Sequence, residues 1–269
     1  MIQKKVTIIT VCFNAADKLA VTIDSVKKQT FHDYEYIIVD GGSRDDTVGV
    51  ITHNRNIVTR WVSESDKGVY DAMNKGIDMA TGEWTFFMNA GDTFHDEDVL
   101  SRIFAREYGE GVGVIYGDVE LQFGTAGSVV HSLRKVHEDD VLSQLCHQGT
   151  LTRTYILKQI KFDTAFRIAA DRNSFVMIRK MGYRFEYCPV IFAIFMADGI
   201  SWRKPFLCFR EFCIIDNVEK FSYTYWKRFA IACRRYMVLK LLPDKIYNYL
   251  LYKRQKKTHV HDKKNLYSL

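Results

Sequence analysis

Proline is scarce in this chain, three residues in 269, and nowhere do Pro, Gly and Ser gather into a linker-like stretch. No internal repeat is present, so nothing divides residues 1–205 into separate bodies. No uninterrupted apolar run reaches the ~18 residues of a membrane span, and MIQKKVTIITVCFN lacks the apolar region and small-residue cleavage site of a signal peptide. A cytoplasmic location is the expectation. Six cysteines occur without CxxC spacing, which argues against a zinc ribbon or a disulfide framework and for buried, reduced thiols. The common phosphate cradles are missing as well. There is no GxxxxGK[ST], and GGSRDD does not meet GxGxxG, so P-loop hydrolysis and nicotinamide chemistry have little support.

What is present is enough for a full core, with 47% hydrophobic residues. Charge is unevenly placed. Residues 202–269 hold 16 Lys/Arg against 5 Asp/Glu, which leaves 22 against 27 for residues 1–201 out of the totals of 38 and 32. A basic, aromatic tail on an acidic body points to an anionic contact, either membrane headgroups or nucleic acid; a solvated charged end is the alternative.

Residues 5–13, KVTIITVCF, read as a strand buried on both faces of a parallel sheet. Asp17 is the expected N-cap of a helix reaching about Gln29. Tyr36–Val39 is a second strand followed by the turn Asp40-Gly41-Gly42-Ser43 and another helix, and Val58–Val62 a third strand. The stretch Tyr70–Met79 follows as a helix ended by Gly82, and Glu83–Met88 is a fourth strand that runs into NAGD. Such alternation predicts a doubly wound α/β sheet, whose ligands gather at the carboxyl ends of its strands. Asn14, Asp40, Ser65-Asp66 and Asn89–Asp92 all lie at predicted strand ends and should line one crevice. That crevice is rich in Asp40, Asp45, Asp46, Asp66, Asp71 and Asp92, and it would hold a nucleoside diphosphate best through a divalent metal.

TIITVCFN, QTFHDYEYIIVDGGSRDDT and ESDKGVYDAMNKGIDMATGEWTFFMNAGD, in this order, resemble the family 2 (GT-A fold) glycosyltransferases, especially the bacterial capsule, colanic acid and O-antigen type. The likeness is specific over residues 5–100, weaker to about 205, and essentially absent beyond. It implies an α/β GT-A fold of three layers with a mixed, mainly parallel sheet. Residues 1–205 would be the transferase domain, with a nucleotide-binding half at 1–100 and an acceptor-binding half at 101–205; residues 206–269 would be a basic aromatic helical tail. The implied reaction is inverting transfer of a sugar from a nucleotide diphosphate sugar, UDP-linked, to a glycan or lipid-diphosphate-linked glycan acceptor, with Mn²⁺ or Mg²⁺ as cofactor.

The resemblance also gives roles to residues. Phe13 packs on the base, Asn14 belongs to the nucleotide site, and Asp40 hydrogen-bonds the base; the alternative for Asp40 is an Asx turn. Gly41 departs from the family's commoner Asp-Asp pair. Asp66 goes with the nucleotide; the arginine usual before Asn74 is Met73 here, so Lys67 is assigned as the substitute cation, or else is a plain surface lysine. Asn74 itself goes with the nucleotide. In place of Asp-x-Asp the chain has Asn89-Ala90-Gly91-Asp92, with Asn89 on the donor sugar and Asp92 on the metal; a simple turn is the other reading. Asp171, in FRIAAD, is the implied catalytic base, or a helix N-cap. His147 and Gln148 match a stretch near the acceptor, and Asp198 a loop that closes over the diphosphate.

In residues 222–242 helical spacing puts Trp226, Phe229, Cys233, Tyr236 and Met237 on one side and Lys227, Arg228, Arg234 and Arg235 on the other. Such a helix can lie on an anionic membrane, or pack on its own domain or a dimer partner. Two rivals stand against the enzyme: a catalytically degenerate nucleotide-sugar-binding protein of the same fold, and nucleic-acid binding by the tail. No nucleic-acid motif supports the second.

Overall fold

The computed structural model describes residues 3–134, 141–197 and 199–264, excepting the side chains of residues 200 and 257–264. Its chain order begins β1 (Val6–Cys12), α1 (Ala16–Lys27), β2 (Tyr34–Asp40), α2 (Thr47–His53), β3 (Arg60–Ser63), α3 (Val69–Met79) and β4 (Trp84–Phe87). Strands β1, β2, β3 and β4 pair in parallel in the order β3-β2-β1-β4. Their apolar runs bury both faces. On one side Ile8, Tyr36, Ile38, Trp84 and Phe86 pack with Leu19, Ile23 and Val26 of α1; on the other, Ile9, Val11, Ile37, Val39 and Phe87 pack with Tyr70, Met73 and Ile77 of α3.

Beyond β4 the sheet turns mixed. It adds β5 (Thr93–Phe94), β6 (Val112–Gln122), β7 (Ser128–His131), β8 (Thr150–Arg153) and β9 (Arg184–Met196). Strand β8 lies antiparallel between β4 and β6, β9 follows β6, β5 pairs antiparallel with β9, and β7 pairs with β6. The chain divides into two compact units, 1–119 with 133–195, and 120–132 with 196–269. In the second unit helix Tyr223–Leu241 packs on helix Pro205–Ile215: Phe206 meets Phe229 and Tyr236, Phe209 meets Tyr225 and Phe229, and Arg228 pairs with Asp216 at 2.7 Å. The aromatic side predicted for this helix therefore serves partly as internal packing, while Phe221, Tyr223 and Trp226 stay exposed. No helix among the described residues is long and apolar enough to cross a membrane.

Three local expectations are corrected. Asp17 lies inside the first turn of α1 and the N-cap is Ala15; the orphan amide of Ala16 is met from a distance by Asp45 Oδ2 at 3.3 Å. Hydrogen bonding from the Thr47 hydroxyl, above all, holds the Asp45 carboxyl below its ordinary range. Gly82 does not end α3, which stops at Met79 with Ala80 extended; a Cβ at position 82 would lie 2.6 Å from the Thr7 amide nitrogen, so glycine is required by backbone approach. Of the thiols, Cys12, Cys188, Cys208 and Cys213 are buried, but Cys146 and Cys233 are only half-buried; all six are free.

Candidate active site

Parallel pairing sets the ends of β3, β2, β1 and β4 side by side, with Cys12 opposite Asp40 and Asp40 opposite Ser63. Residues that follow these strands therefore share one edge. Asn14 adopts a positive φ of 46° and joins two loops: its amide donates to Ser43 Oγ at 2.7 Å, and its Oδ1 accepts from the Arg44 amide at 2.8 Å. Phe13 next to it is 60% exposed, an apolar ring left open at the strand end.

Asp40 is fully buried. Its Oδ2 accepts from the amides of Gly42 and Ser43 at 3.2 and 3.0 Å and from Ser63 Oγ at 2.6 Å, while its Oδ1 takes the Ser43 hydroxyl and the Cys12 thiol. The carboxylate thus organises the loop with every lone pair engaged, as in the Asx-turn alternative. Burial first, then the charge of Asp40, pushes the Cys12 thiol far above its ordinary value. Asp66 is half-buried, with Oδ1 accepting from the Gly68 amide at 2.8 Å, and the Lys67 amide donates to Asp71 Oδ2 at 2.9 Å, its side chain exposed. Asn74 ties two segments together. Its amide group exchanges two 2.8 Å hydrogen bonds with the backbone of Phe162, clamping α3 to the segment that leads toward Asp171.

The second group of residues forms because β8 runs antiparallel to β4, with Phe86 opposite Leu151. Continuing that register brings residue 148 across from residue 89. His147 and Gln148, in the 3₁₀ turn before β8, accordingly meet the NAGD turn: His147 Nε2 lies 2.9 Å from Asn89 Nδ2, and Gln148 Nε2 donates to Asp92 Oδ2 at 3.3 Å. On its other side His147 Nδ1 lies 3.3 Å from Asp171 Oδ2. Since Asn89 Nδ2 donates, Nε2 accepts and Nδ1–H faces the carboxylate, which sets the tautomer. Tyr70, which the sequence did not single out, shares its one hydroxyl proton between the Ile168 carbonyl at 2.6 Å and Asp171 Oδ1 at 3.2 Å. Asp171 is not the N-cap; helix Ala170–Lys180 is preceded by Ala169, and Asp171 sits in its first turn. Asp198 lies outside the described residues.

The metal implied by the resemblance can be tested against the donors present. Asp92 is 8% exposed, and Asn89 Oδ1 is buried without a hydrogen-bond partner. A carboxylate and an orphaned amide oxygen in one turn suit a hard divalent cation. Among the described residues no three His, Cys, Asp or Glu gather as ligands, so such an ion would complete its shell on a diphosphate.

The sequence matches the model of glycosyl transferase family 2 over residues 7–183. A PGL/p-HBAD biosynthesis glycosyltransferase of Mycobacterium bovis is 34% identical over 179 residues, 61% of this chain and 66% of that protein. The amylovoran biosynthesis glycosyltransferase AmsB of Erwinia amylovora is 26% identical over 64% of this chain and 63% of its own length. This chain thus spans just under two thirds of these relatives. Among solved structures, S. aureus TarS 1-349 in complex with UDP-GlcNAc superposes with a TM-score of 0.65 at 16% identity, covering 91% of this chain and 78% of that one. Mannosyltransferase PcManGT from Pyrobaculum calidifontis, in complex with GDP-Man and Mn²⁺, gives 0.62 at 17%, covering 96% and 76%. With its parallel strand ends set along one edge, the mixed sheet and a family match over most of its length, the chain has the GT-A fold and belongs to glycosyl transferase family 2.

Proposed function

We propose that this chain is an inverting glycosyltransferase that moves a sugar from a UDP-linked donor to a sugar acceptor, lipid-linked, in bacterial surface polysaccharide assembly. The observation that carries the reading is the His147 ring, which spans Asn89 of the β4 turn and Asp171 at a helix start and so joins a donor side to an acceptor side. The nucleoside packs against Phe13 in the loop network organised by Asn14 and Asp40, with Lys67 supplying a cation near the phosphates. Asn89 contacts the donor sugar, and Asp92 would hold Mn²⁺ or Mg²⁺, which when bound neutralises the departing diphosphate. Asp171 accepts the proton of the acceptor hydroxyl while that oxygen bonds to the anomeric carbon, and the bond from that carbon to the diphosphate oxygen breaks in line. Tyr70 and His147 hold the carboxylate in place. The matched relatives named for amylovoran and PGL/p-HBAD biosynthesis, and the fold neighbours bound to UDP-GlcNAc or GDP-Man, support this substrate class.

The charge excess of residues 202–269, together with the exposed Phe221, Tyr223 and Trp226, supports an acceptor held at a membrane surface. Calorimetric titration of UDP with Mn²⁺, Mg²⁺ or chelator, followed by a UDP-sugar hydrolysis screen, tests the core of the proposal. Metal-dependent UDP binding that is lost in Asp92→Ala is the expected result; no nucleotide binding under any condition would overturn it. UDP binding without UDP release from any donor would leave only a binding protein. Flotation with anionic vesicles tests the membrane contact, and equal flotation of a Phe221→Ala/Tyr223→Ala/Trp226→Ala variant would remove it.

A further inference from the structure

Gln148 has no part in the proposed transfer, yet its side chain ends on the carboxylate assigned to the metal, donating from Nε2 to Asp92 Oδ2 at 3.3 Å. Both partners are held before they meet. The turn that carries Gln148 closes on itself, the Gly149 amide donating to the Cys146 carbonyl at 3.1 Å and the Thr150 hydroxyl to the His147 carbonyl at 3.3 Å. It is also seated against β6: a Cβ on Gly149 would lie 2.8 Å from Val119 Cγ1 and 3.3 Å from the Gly117 carbonyl oxygen. On the other side the Asp92 amide donates to the Asn89 carbonyl at 2.9 Å. The Thr22 hydroxyl of α1 donates to the Asp92 carbonyl at 2.8 Å and accepts from the Gly91 amide at 2.9 Å. The contact between Gln148 and Asp92 is therefore made by two turns that other bonds have already fixed.

What this contact decides is how an ion can approach Asp92. Oδ2 already accepts from the Asn89 amide at 3.1 Å, and the Gln148 amide group adds a second donor, which fills the two lone pairs of that oxygen. The carboxylate can then meet an ion through one oxygen at most. Beside it, His147 engages Asn89 Nδ2 and so leaves Asn89 Oδ1, buried and without a hydrogen-bond partner, as the other donor of the turn. Single oxygens of this kind suit a small octahedral ion, Mn²⁺ or Mg²⁺, which fills its remaining positions with water and diphosphate oxygens. Ca²⁺ takes roughly six to eight oxygens and gains from a carboxylate that offers it both.

We infer that Gln148 is a positioning residue of the NAGD turn, and that by filling Asp92 Oδ2 it makes the site select Mn²⁺ or Mg²⁺ against Ca²⁺. This rests on the proposed metal-dependent nucleotide binding and adds the residue that sets its metal preference. Gln148 acts through Asp92 rather than on the substrate. His147 and Gln148 thus orient the two oxygen donors of the turn from one dipeptide, which the register of β8 on β4 delivers.

The experiment is calorimetric titration of UDP, with Mn²⁺, Mg²⁺, Ca²⁺ or chelator, into wild type, Gln148→Met and Gln148→Glu, with a melting temperature for each protein. Methionine keeps the length and removes the donor; glutamate keeps the shape and turns the donor into an acceptor. Because the nucleotide is the same throughout, its own contacts cancel in the ratio of Mn²⁺-supported to Ca²⁺-supported affinity. That ratio should fall at least about tenfold in Gln148→Met, as Oδ2 is released to Ca²⁺. It should fall further in Gln148→Glu, where a second carboxylate adds oxygen donors. UDP affinity in chelator should be unchanged in Gln148→Met. A ratio unchanged in both folded variants, or an equal loss with every metal alongside a lower melting temperature, would reduce Gln148 to a structural contact and overturn the assignment. Wild-type UDP binding that is indifferent to metal, or absent, would instead overturn the metal-dependent nucleotide binding on which it rests.

Discussion

Asp171 Oδ2 and His147 Nδ1 face each other at 3.3 Å across the two elements that the antiparallel strand β8 and the helix Ala170–Lys180 deliver to one point. Each residue has a second anchor, Tyr70 for the carboxylate and Asn89 for the ring. The pair therefore behaves as one unit. If Asp171 is the proton acceptor, Asp171→Asn should lower kcat by about 10²–10⁴-fold with little change in donor KM. His147→Ala, which only frees the carboxylate to move, should cost about 100-fold. The double variant should be no worse than Asp171→Asn alone, and a fully multiplicative loss in steady-state kinetics would show that the two act separately.

The approach of Asp66 to Gly41 predicts a small cost in stability. A Cβ on Gly41 would overlap Asp66 Oδ2, the far end of a half-buried side chain that can turn away, so Gly41→Ala should destabilise by no more than about 1 kcal/mol in denaturant unfolding. In an Asp66→Ala background the same change should cost less still. A loss of several kcal/mol would mean that the loop cannot adjust.

Acid sensitivity should centre on Glu35. Burial would raise this carboxyl, but hydrogen bonds from Thr7, Thr81 and Arg60 together outweigh it and hold the pKa below the ordinary 4.5. A lowered folded value means that the stabilisation is complete above pH 4.5 and is lost as the pH falls through the folded value. Glu35→Gln should remove about 2 kcal/mol at pH 7 and flatten the acid limb of a stability profile. A variant as stable as wild type at pH 7 would refute the role.

Cys146 sits in the site yet should be chemically quiet. Although the residue as a whole keeps some exposed surface, its sulfur is enclosed, and that burial chiefly, with Asp171 and Asp92 adding to it, pushes the thiol from 9.0 up to about 12. At pH 8 its thiolate fraction is then about a thousandfold below that of an ordinary thiol. Iodoacetamide at that pH should label Cys146 only after unfolding, as read by peptide mass mapping; rapid labelling of the native chain would contradict the assignment.

Periodic apolar residues made the opening half of the fold readable. KVTIITVCF and YIIV are apolar without interruption because both faces of a parallel strand are covered, and the helices between them carry their apolar residues three and four apart. Boundaries were less legible where capping comes from elsewhere in the chain, as at α1, where Asp45 replaces the expected Asp17. Asn74 reads as a nucleotide residue in its motif, yet its neighbour in space is Phe162, 88 residues away.

The sequence by itself determined the family, the order of strands and helices to β4, and the placing of Asp40, Asp66 and Asp92 at strand ends, since each follows from local pattern and short motifs. Only the tertiary structure decided which carboxylates are spent on holding the fold together. That Asp40 is saturated, that Asp66 stands against Gly41, and that Tyr70 and His147 hold Asp171 depend on contacts between segments 23 to 101 residues apart. Pairing register and loop approach set such contacts, and neither is encoded in the neighbours of any one residue.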